Sequence, residues 1–251
     1  MILSITGTSN SGKTEFLKKF IQKYPKYVTP VETYRDIPDL SLYEKGTEES
    51  QRLIRDFMFK QQKEFWAKRD TQRHIITDRN LLDNLACTFF LYQKGLMEEK
   101  QIISDEFMEE SLAMTHDSMG HHHLIYFCPL MEQYPIPEKE GVDNNWRLWI
   151  DEKLKSFYYI WKNNEWDMGI FPQKKCTSMQ AIAGNTDQRI AIAANILDEN
   201  GNLDGGMKGN ADSMMPQILG PNGLEITSDM LENPDRPMVE DFGFNAPNIE
   251  L

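Results

Sequence analysis

Residues 7 to 14 read GTSNSGKT, so Gly7 and Gly12 are separated by four residues and followed directly by Lys13 and Thr14. That spacing, G-x-x-x-x-G-K-[ST], is the pattern of a loop that cradles phosphate. Glycines let the backbone curl until the N–H groups of residues 8 to 14, Ser9, Asn10 and Ser11 among them, point inward as an anion nest. The helix that follows adds the positive end of its dipole. In such a loop Lys13 reaches the β and γ phosphates of a nucleoside triphosphate, and the Thr14 hydroxyl ligates Mg²⁺. ATP and Mg²⁺ are therefore the expected cofactors, and no Asn-Lys-x-Asp guanine-reading segment points to GTP instead.

Two further segments carry chemistry. In RHIITDRNLLDNLA, residues 73 to 86, Asp78 ends an apolar run. A carboxylate there emerges at the carboxyl edge of a parallel sheet, where ligands bind. It can hold the Mg²⁺ directly or through water, or it can act as the N-cap of the next helix. Arg79 beside it can pair with a phosphate in bidentate fashion. In VETYR, residues 31 to 35, Glu32 can take a proton from an attacking hydroxyl or hold the acceptor. Arg35 can bind an acceptor phosphate. A plain surface loop with a weak local ion pair is the alternative for Glu32 and Arg35.

These residues need a scaffold that delivers them to one edge, and the hydrophobic pattern supplies it. Short apolar runs at 2–6, 27–31, 74–77 and 123–128 read as strands, with a fifth near 168–171. Helical spacing marks 14–23, 47–70, 81–89, 101–115, 145–163 and 187–197. Strands alternating with helices predict an open, mostly parallel five-stranded α/β sheet. On the helix over 47–70, the aromatic side chains of Phe57, Phe65 and Trp66 either stack a base or belong to the core.

Composition bounds the rest. Acidic residues outnumber basic ones, 39 against 27, for a net charge of -12. That balance disfavours nucleic acid and anionic membrane as partners. A nucleic-acid substrate would need a basic groove from Lys60, Lys63, Lys68, Arg69 and Arg73. The three cysteines, Cys87, Cys128 and Cys176, fit neither a disulfide framework nor a metal site, and no signal peptide is evident, so a reducing cytoplasm is expected. No apolar run approaches the roughly 20 residues of a membrane span. From Gly201 onward the chain holds 7 of its 15 glycines, 5 of its 12 prolines, and nine acidic residues against two basic. Residues 1–198 are thus expected to form the folded domain, and 199–251 an irregular acidic tail.

GTSNSGKT, VETYR and TDRNLLDNLA together resemble the nucleoside- and nucleotide-kinase branch of P-loop proteins. They are most similar to the kinase-like ATPases common in phages and bacteria, a family that includes ribosylnicotinamide kinase domains and is similar to thymidylate and deoxynucleoside kinases. The resemblance covers roughly residues 1–198, and the Asp-Arg pair in its register narrows it to kinases. It implies a three-layer P-loop NTPase fold and phosphoryl transfer from ATP to a hydroxyl or phosphate of a small nucleoside or nucleotide, with Lys13, Glu32, Arg79 and Arg147 as catalytic residues. A mobile arginine-bearing lid follows the fourth strand in such enzymes. Here that region is GVDNNWRLWIDEK, residues 141–153, with Arg147 as the lid arginine and Lys153 behind it, although relatives often show a tighter Asp-Gly-x-Arg than Asp143 and Arg147 do. The helix bearing Arg189 resembles the one that packs near the adenine, which gives Arg189 a structural or base-stacking role at the cofactor. A kinase acting on a nucleic acid, or a P-loop ATPase switch without a small acceptor, are the other two functions these motifs could serve. A homodimer is compatible with everything above.

Several motifs are set aside. His121, His122 and His123 precede a strand, where neighbouring side chains point to opposite faces and converge poorly on a metal. Residues 198–204 resemble a calcium loop, but Leu203 stands where glycine is needed and no acid closes it. Asp241-Phe242-Gly243 lacks the partner motifs of a protein kinase.

Overall fold

The computed structural model describes residues 1–30, 33–38, 40, 46–68, 74–131, 144–165, 168–173 and 177–203. The elements run β1 (Ile2–Thr6), α1 (Lys13–Lys23), β2 (Tyr27–Val28), a 3₁₀ turn at Tyr34–Asp36, α2 (Glu48–Ala67), β3 (His74–Asp78), α3 (Leu81–Met97), α4 (Asp105–Met119), β4 (Leu124–Phe127), α5 (Asn144–Lys162), β5 (Ser178–Ala181) and α6 (Thr186–Ala194). The five strands lie in the order β2-β3-β1-β4-β5. Every pair is parallel, with Ile5 opposite Asp78 and Thr6 opposite Phe127. Helices α1 and α6 pack together on one face, and α2, α3, α4 and α5 pack around α3 on the other. This is the three-layer α/β arrangement expected from the alternation of strands and helices.

A parallel sheet covered on both faces should be apolar throughout. All five residues of β1 and all four of β4 are buried accordingly. Strand β3 departs from that rule. It lies between β2 and β1, yet only Ile76 is buried, and Ile75 and Thr77 on the opposite face are half-exposed. Since side chains alternate along a strand, Ile76 joins the core under α1 and α6. The other face of β3 looks toward α2 across a cavity.

The core on the α1 and α6 side is an aromatic cluster centred on Phe20. Its ring lies 5.0 to 5.8 Å from those of Phe16, Tyr24, Tyr27 and Tyr126, distances at which ring edges and faces attract. Residues just past α6 close over this cluster. Leu197 bridges to Leu203, Tyr27 donates its hydroxyl hydrogen to the Gly201 carbonyl at 2.7 Å, and a Cβ on Gly201 would come within 2.9 Å of the Tyr24 ring. The acidic segment from 204 onward lies outside the described residues.

Two strands differ from expectation. Strand β2 ends at Val28 instead of reaching 31. The run at 168–171 is not a strand. Ile170 and Phe171 are buried in an irregular segment, and the fifth strand is Ser178–Ala181. Its sequence, SMQA, contains no β-branched or aromatic residue, so intrinsic preference gives no signal. Pairing against the wholly buried β4 holds it in place, with Met179 and Ala181 turned inward.

Candidate functional site

The loop between β1 and α1 is built around its two glycines. A Cβ on Gly7 would lie 2.7 Å from the Cys128 carbonyl and 2.8 Å from Ser11 Oγ. Gly12 adopts φ +85°, the left-handed region, and a Cβ there would strike Arg189 Nη1 at 2.8 Å. Helices α2, α3, α4 and α6 each begin with a side chain accepting a first-turn N–H. Helix α1 begins on Gly12 with no such cap. Its first-turn N–H groups therefore stay available to an anion, and they add their dipole to the attraction.

Four cations close around the same loop through its carbonyls. Lys13 Nζ donates to Gly7 O at 2.7 Å and Thr8 O at 2.6 Å. Arg79 Nη1 donates to Gly7 O at 3.3 Å, Arg147 Nε to Ser9 O at 3.0 Å, and Arg189 Nη1 to Ser11 O at 2.5 Å. They come from α1, the β3–α3 junction, α5 and α6. Burial, with the Arg79 guanidinium next in effect, holds the Lys13 ammonium down at about 8 against its usual 10.5. Opposing them are Asp78 and Asp83. In a chain that carries a charge of -12, this is a local excess of buried positive charge, and an anion is what relieves it.

Asp78 ends β3 opposite Ile5, on the strand next to the one that feeds the loop. Its Oδ1 is buried with no hydrogen-bond partner among the described residues, and Asp78 shares the cavity wall with the exposed Thr14 and with Arg79. It is not the helix cap. Asn80 takes that place, accepting from Leu82 N–H at 2.8 Å, with Asp83 closing the capping box. Arg79, between the two, is held at φ +86°, a strained setting for a residue with a side chain. Its N–H donates to Ile5 O at 2.8 Å, extending the β1–β3 ladder by one bond.

Asp83 is a site residue that the motifs did not single out. It is buried, and its Oδ1 accepts both the Gly7 N–H at 3.2 Å and Arg79 Nη1 at 3.0 Å, tying the loop to α3. The signal was present in two forms: the four-residue spacing from Arg79, and the N-x-x-D capping pattern over 80–83. Tyr34 is another. Its ring lies beneath Arg35 at 5.4 Å and Arg79 at 5.9 Å, so it connects the turn after β2 with the phosphate end.

The cavity beside the loop measures about 250 Å³. Thr14, Asp78 and Arg79 form its phosphate end, Arg35 and Tyr34 one rim, and Phe57, Met58 and Phe65 of α2 its apolar wall. Trp66 is elsewhere, stacked on His121 at 4.9 Å. The three histidines do not converge: His121 stacks on Trp66, His122 meets Gln62, and His123 accepts the Ile2 N–H with its ring 6.2 Å from that of Trp66. Lys153 lies over the rings of Phe89 and Trp149, away from the loop that Arg147 touches. Lys60 and Lys63 line a separate shallow groove on α2 that also holds Asp56 and Glu64, so its charge is mixed. Glu32, the lid segment before residue 144, Arg69 and Arg73 lie outside the described residues.

The fold and loop define the class: an α/β domain with a parallel sheet and a phosphate-cradling loop between its first strand and first helix. No protein-family model matches the chain, and no curated protein matches it either. Among solved structures it is similar to deoxyadenosine kinase from M. mycoides with products dCMP and a flexible dCDP bound, at 15% identity and a TM-score of 0.54 over 78% of this chain and 97% of that one. The same enzyme with bound dATP gives 13% identity and a TM-score of 0.52, over 78% and 98%. NadR protein in complex with NR gives 10% identity and a TM-score of 0.50, over 76% of this chain and 49% of that one. At these identities the likeness is one of fold.

Proposed function

We propose that this protein transfers the γ-phosphoryl group of ATP to a hydroxyl or phosphate of a small nucleoside or nucleotide. One observation carries the reading. The uncapped start of α1 and four converging cations form an anion site, and it opens directly onto a cavity with a carboxylate at the junction. An ATPase needs only the first half of that arrangement; a phosphotransferase needs both.

Each residue then has a task. Phosphoryl transfer spreads negative charge over the γ-phosphoryl oxygens, so catalysis is alignment and charge stabilisation. Lys13 and the loop N–H groups bind the β and γ phosphates. Arg79 and Arg147 stabilise the charge that develops during transfer, and Arg189 braces the loop at Ser11. The unpartnered Oδ1 of Asp78 and the exposed Thr14 hydroxyl suit a hard divalent cation. Mg²⁺ bound there would neutralise the β and γ oxygens. Glu32 is assigned the acceptor hydroxyl, and Arg35 an acceptor phosphate where there is one. A cavity of about 250 Å³ suits a nucleoside rather than a polymer.

The test is product separation after incubation with γ-labelled ATP and a panel of nucleosides, nucleotides and oligonucleotides. Label should move to a nucleoside or nucleotide, and Lys13→Ala should abolish the transfer without loss of fold. Free phosphate as the sole product with every acceptor would end the kinase reading.

A further inference from the structure

The end of the cavity remote from the phosphates is formed by Gln62 and His122. The N–H of His123 donates to Ile2 O at the amino end of β1, whereas Asp78 pairs with Ile5 near its carboxyl end. His122 and Asp78 are thus about four residues apart along the strand direction, roughly 13 Å at 3.3 Å per residue. If the hydroxyl to be phosphorylated faces Asp78, the base of the acceptor extends along β3 and α2 toward His122. Phe57, Met58 and Phe65 flank that path and can cover a flat ring.

The hydrogen bonds around His122 decide which of its nitrogens carries the proton. Gln62 Oε1 accepts from Ser118 Oγ at 2.5 Å. Gln62 Nε2 donates to the Ser118 carbonyl at 2.7 Å and lies 2.9 Å from His122 Nδ1. The Ser118 carbonyl can only accept, so turning the amide over would set two oxygens against each other. The amide nitrogen therefore faces His122 with its second N–H, and Nδ1 must accept it. Nδ1 also lies 3.3 Å from the Ser118 carbonyl. A proton there would collide with the Gln62 N–H, and that carbonyl already accepts two donors, Gln62 Nε2 and the His121 N–H. Burial holds the ring neutral at pH 7, its pKa down at about 4. A neutral ring has one N–H, which falls on Nε2, and Nε2 has no partner among the described residues.

We propose that His122 Nε2–H reads the acceptor's base, selecting nucleosides whose edge opposite the sugar carries a carbonyl oxygen over those carrying an amino group there. The inference rests on the nucleoside-acceptor reading given above and names its substrate class. A carbonyl accepts the N–H. An amino group would face it donor to donor, leaving both groups buried and unsatisfied, which costs tenfold or more in affinity, roughly. Gln62 and Ser118 act as positioning residues through the tautomer they impose.

Two substrate pairs isolate this edge: uridine against cytidine, and inosine against adenosine, each tested as the ribonucleoside and the 2′-deoxynucleoside. The wild-type protein should favour the carbonyl member by at least about tenfold in kcat/KM, the difference residing in KM. His122→Phe keeps a flat ring and removes the N–H, so the ratio should fall to near one, while the melting temperature drops by only a few degrees as the Gln62 N–H loses its acceptor. Equal use of both members, preference for the amino member, or a ratio that survives in folded His122→Phe overturns the proposal and leaves the kinase reading standing. Transfer to no nucleoside or nucleotide at all sinks both. Should His122→Phe not fold, nitrogen-15 NMR of the wild-type imidazole decides. A proton on Nε2 that shifts on addition of uridine or inosine supports the assignment, and a proton on Nδ1 or an unmoved signal refutes it.

Discussion

Nucleotide affinity should fall as pH rises above about 8, through Lys13. In the free protein the Lys13 ammonium is held down at about 8 by burial, with Arg79 adding to the effect. A triphosphate brings opposing charge to the same place and returns the group toward its usual 10.5. Below pH 8 Lys13 is protonated whether or not nucleotide is bound, so affinity is constant. Between pH 8 and 10.5 the free protein has lost a proton that the complex keeps. Binding must then take up a proton, and affinity drops with each further rise in pH. With those two limits the association constant at pH 9 is about tenfold below that at pH 7, a difference of about 1.4 kcal/mol. The two thiols near the loop stay protonated in this window. Burial pushes the Cys128 thiol up to about 11 and the Cys87 thiol to about 12, and arginine does not deprotonate. Isothermal titration with a non-hydrolysable ATP analogue at pH 7, 8 and 9, in buffers of differing ionisation heat, measures both the slope and the proton uptake. Lys13→Met should bind weakly at every pH with no slope. A wild-type affinity that stays level from pH 7 to 9, or a Lys13→Met slope equal to that of wild type, would refute the linkage.

Three other outcomes are expected. Asp83→Ala removes the buried carboxylate that holds Gly7 N–H and Arg79, leaving a buried guanidinium underpaired. It should destabilise the domain by about 3 kcal/mol, read as a loss of roughly 6 to 12 °C in melting temperature. Phe20→Ala empties the centre of the aromatic cluster and should cost about 3 to 5 kcal/mol in urea unfolding, with the analogue's affinity for the folded protein unchanged. Asp78→Asn replaces the unpartnered carboxylate at the cavity mouth. It should lower kcat by about 100-fold and raise the Mg²⁺ concentration needed for half-maximal rate, both seen in a coupled assay with Mg²⁺ varied.

What could be read in advance follows a physical division. The loop was legible because its chemistry demands fixed residue types at fixed spacing: a glycine where a Cβ would strike the Cys128 carbonyl, another at φ +85°, and a lysine one residue later. Strands β1 and β4 were legible because burial on both faces makes a strand uniformly apolar. Strand β5 was not, because SMQA owes its conformation to β4 beside it, and a partner on another part of the chain leaves no mark on local preference. The same reasoning explains the site residues that were missed. Asp83 belongs to the loop only because β3 lies against β1, which brings residues 76 positions apart within 3.2 Å. The arginines on α5 and α6 differ from Asp83 in this respect. A resemblance to known kinases proposed both for the site, but only the folded chain shows how they reach it, through the Ser9 and Ser11 carbonyls and not toward open solvent. Half-buried β3 carries the most functional information of any strand. A central strand with one open face needs a reason, and here that face lines the cavity that meets the phosphate loop at Asp78.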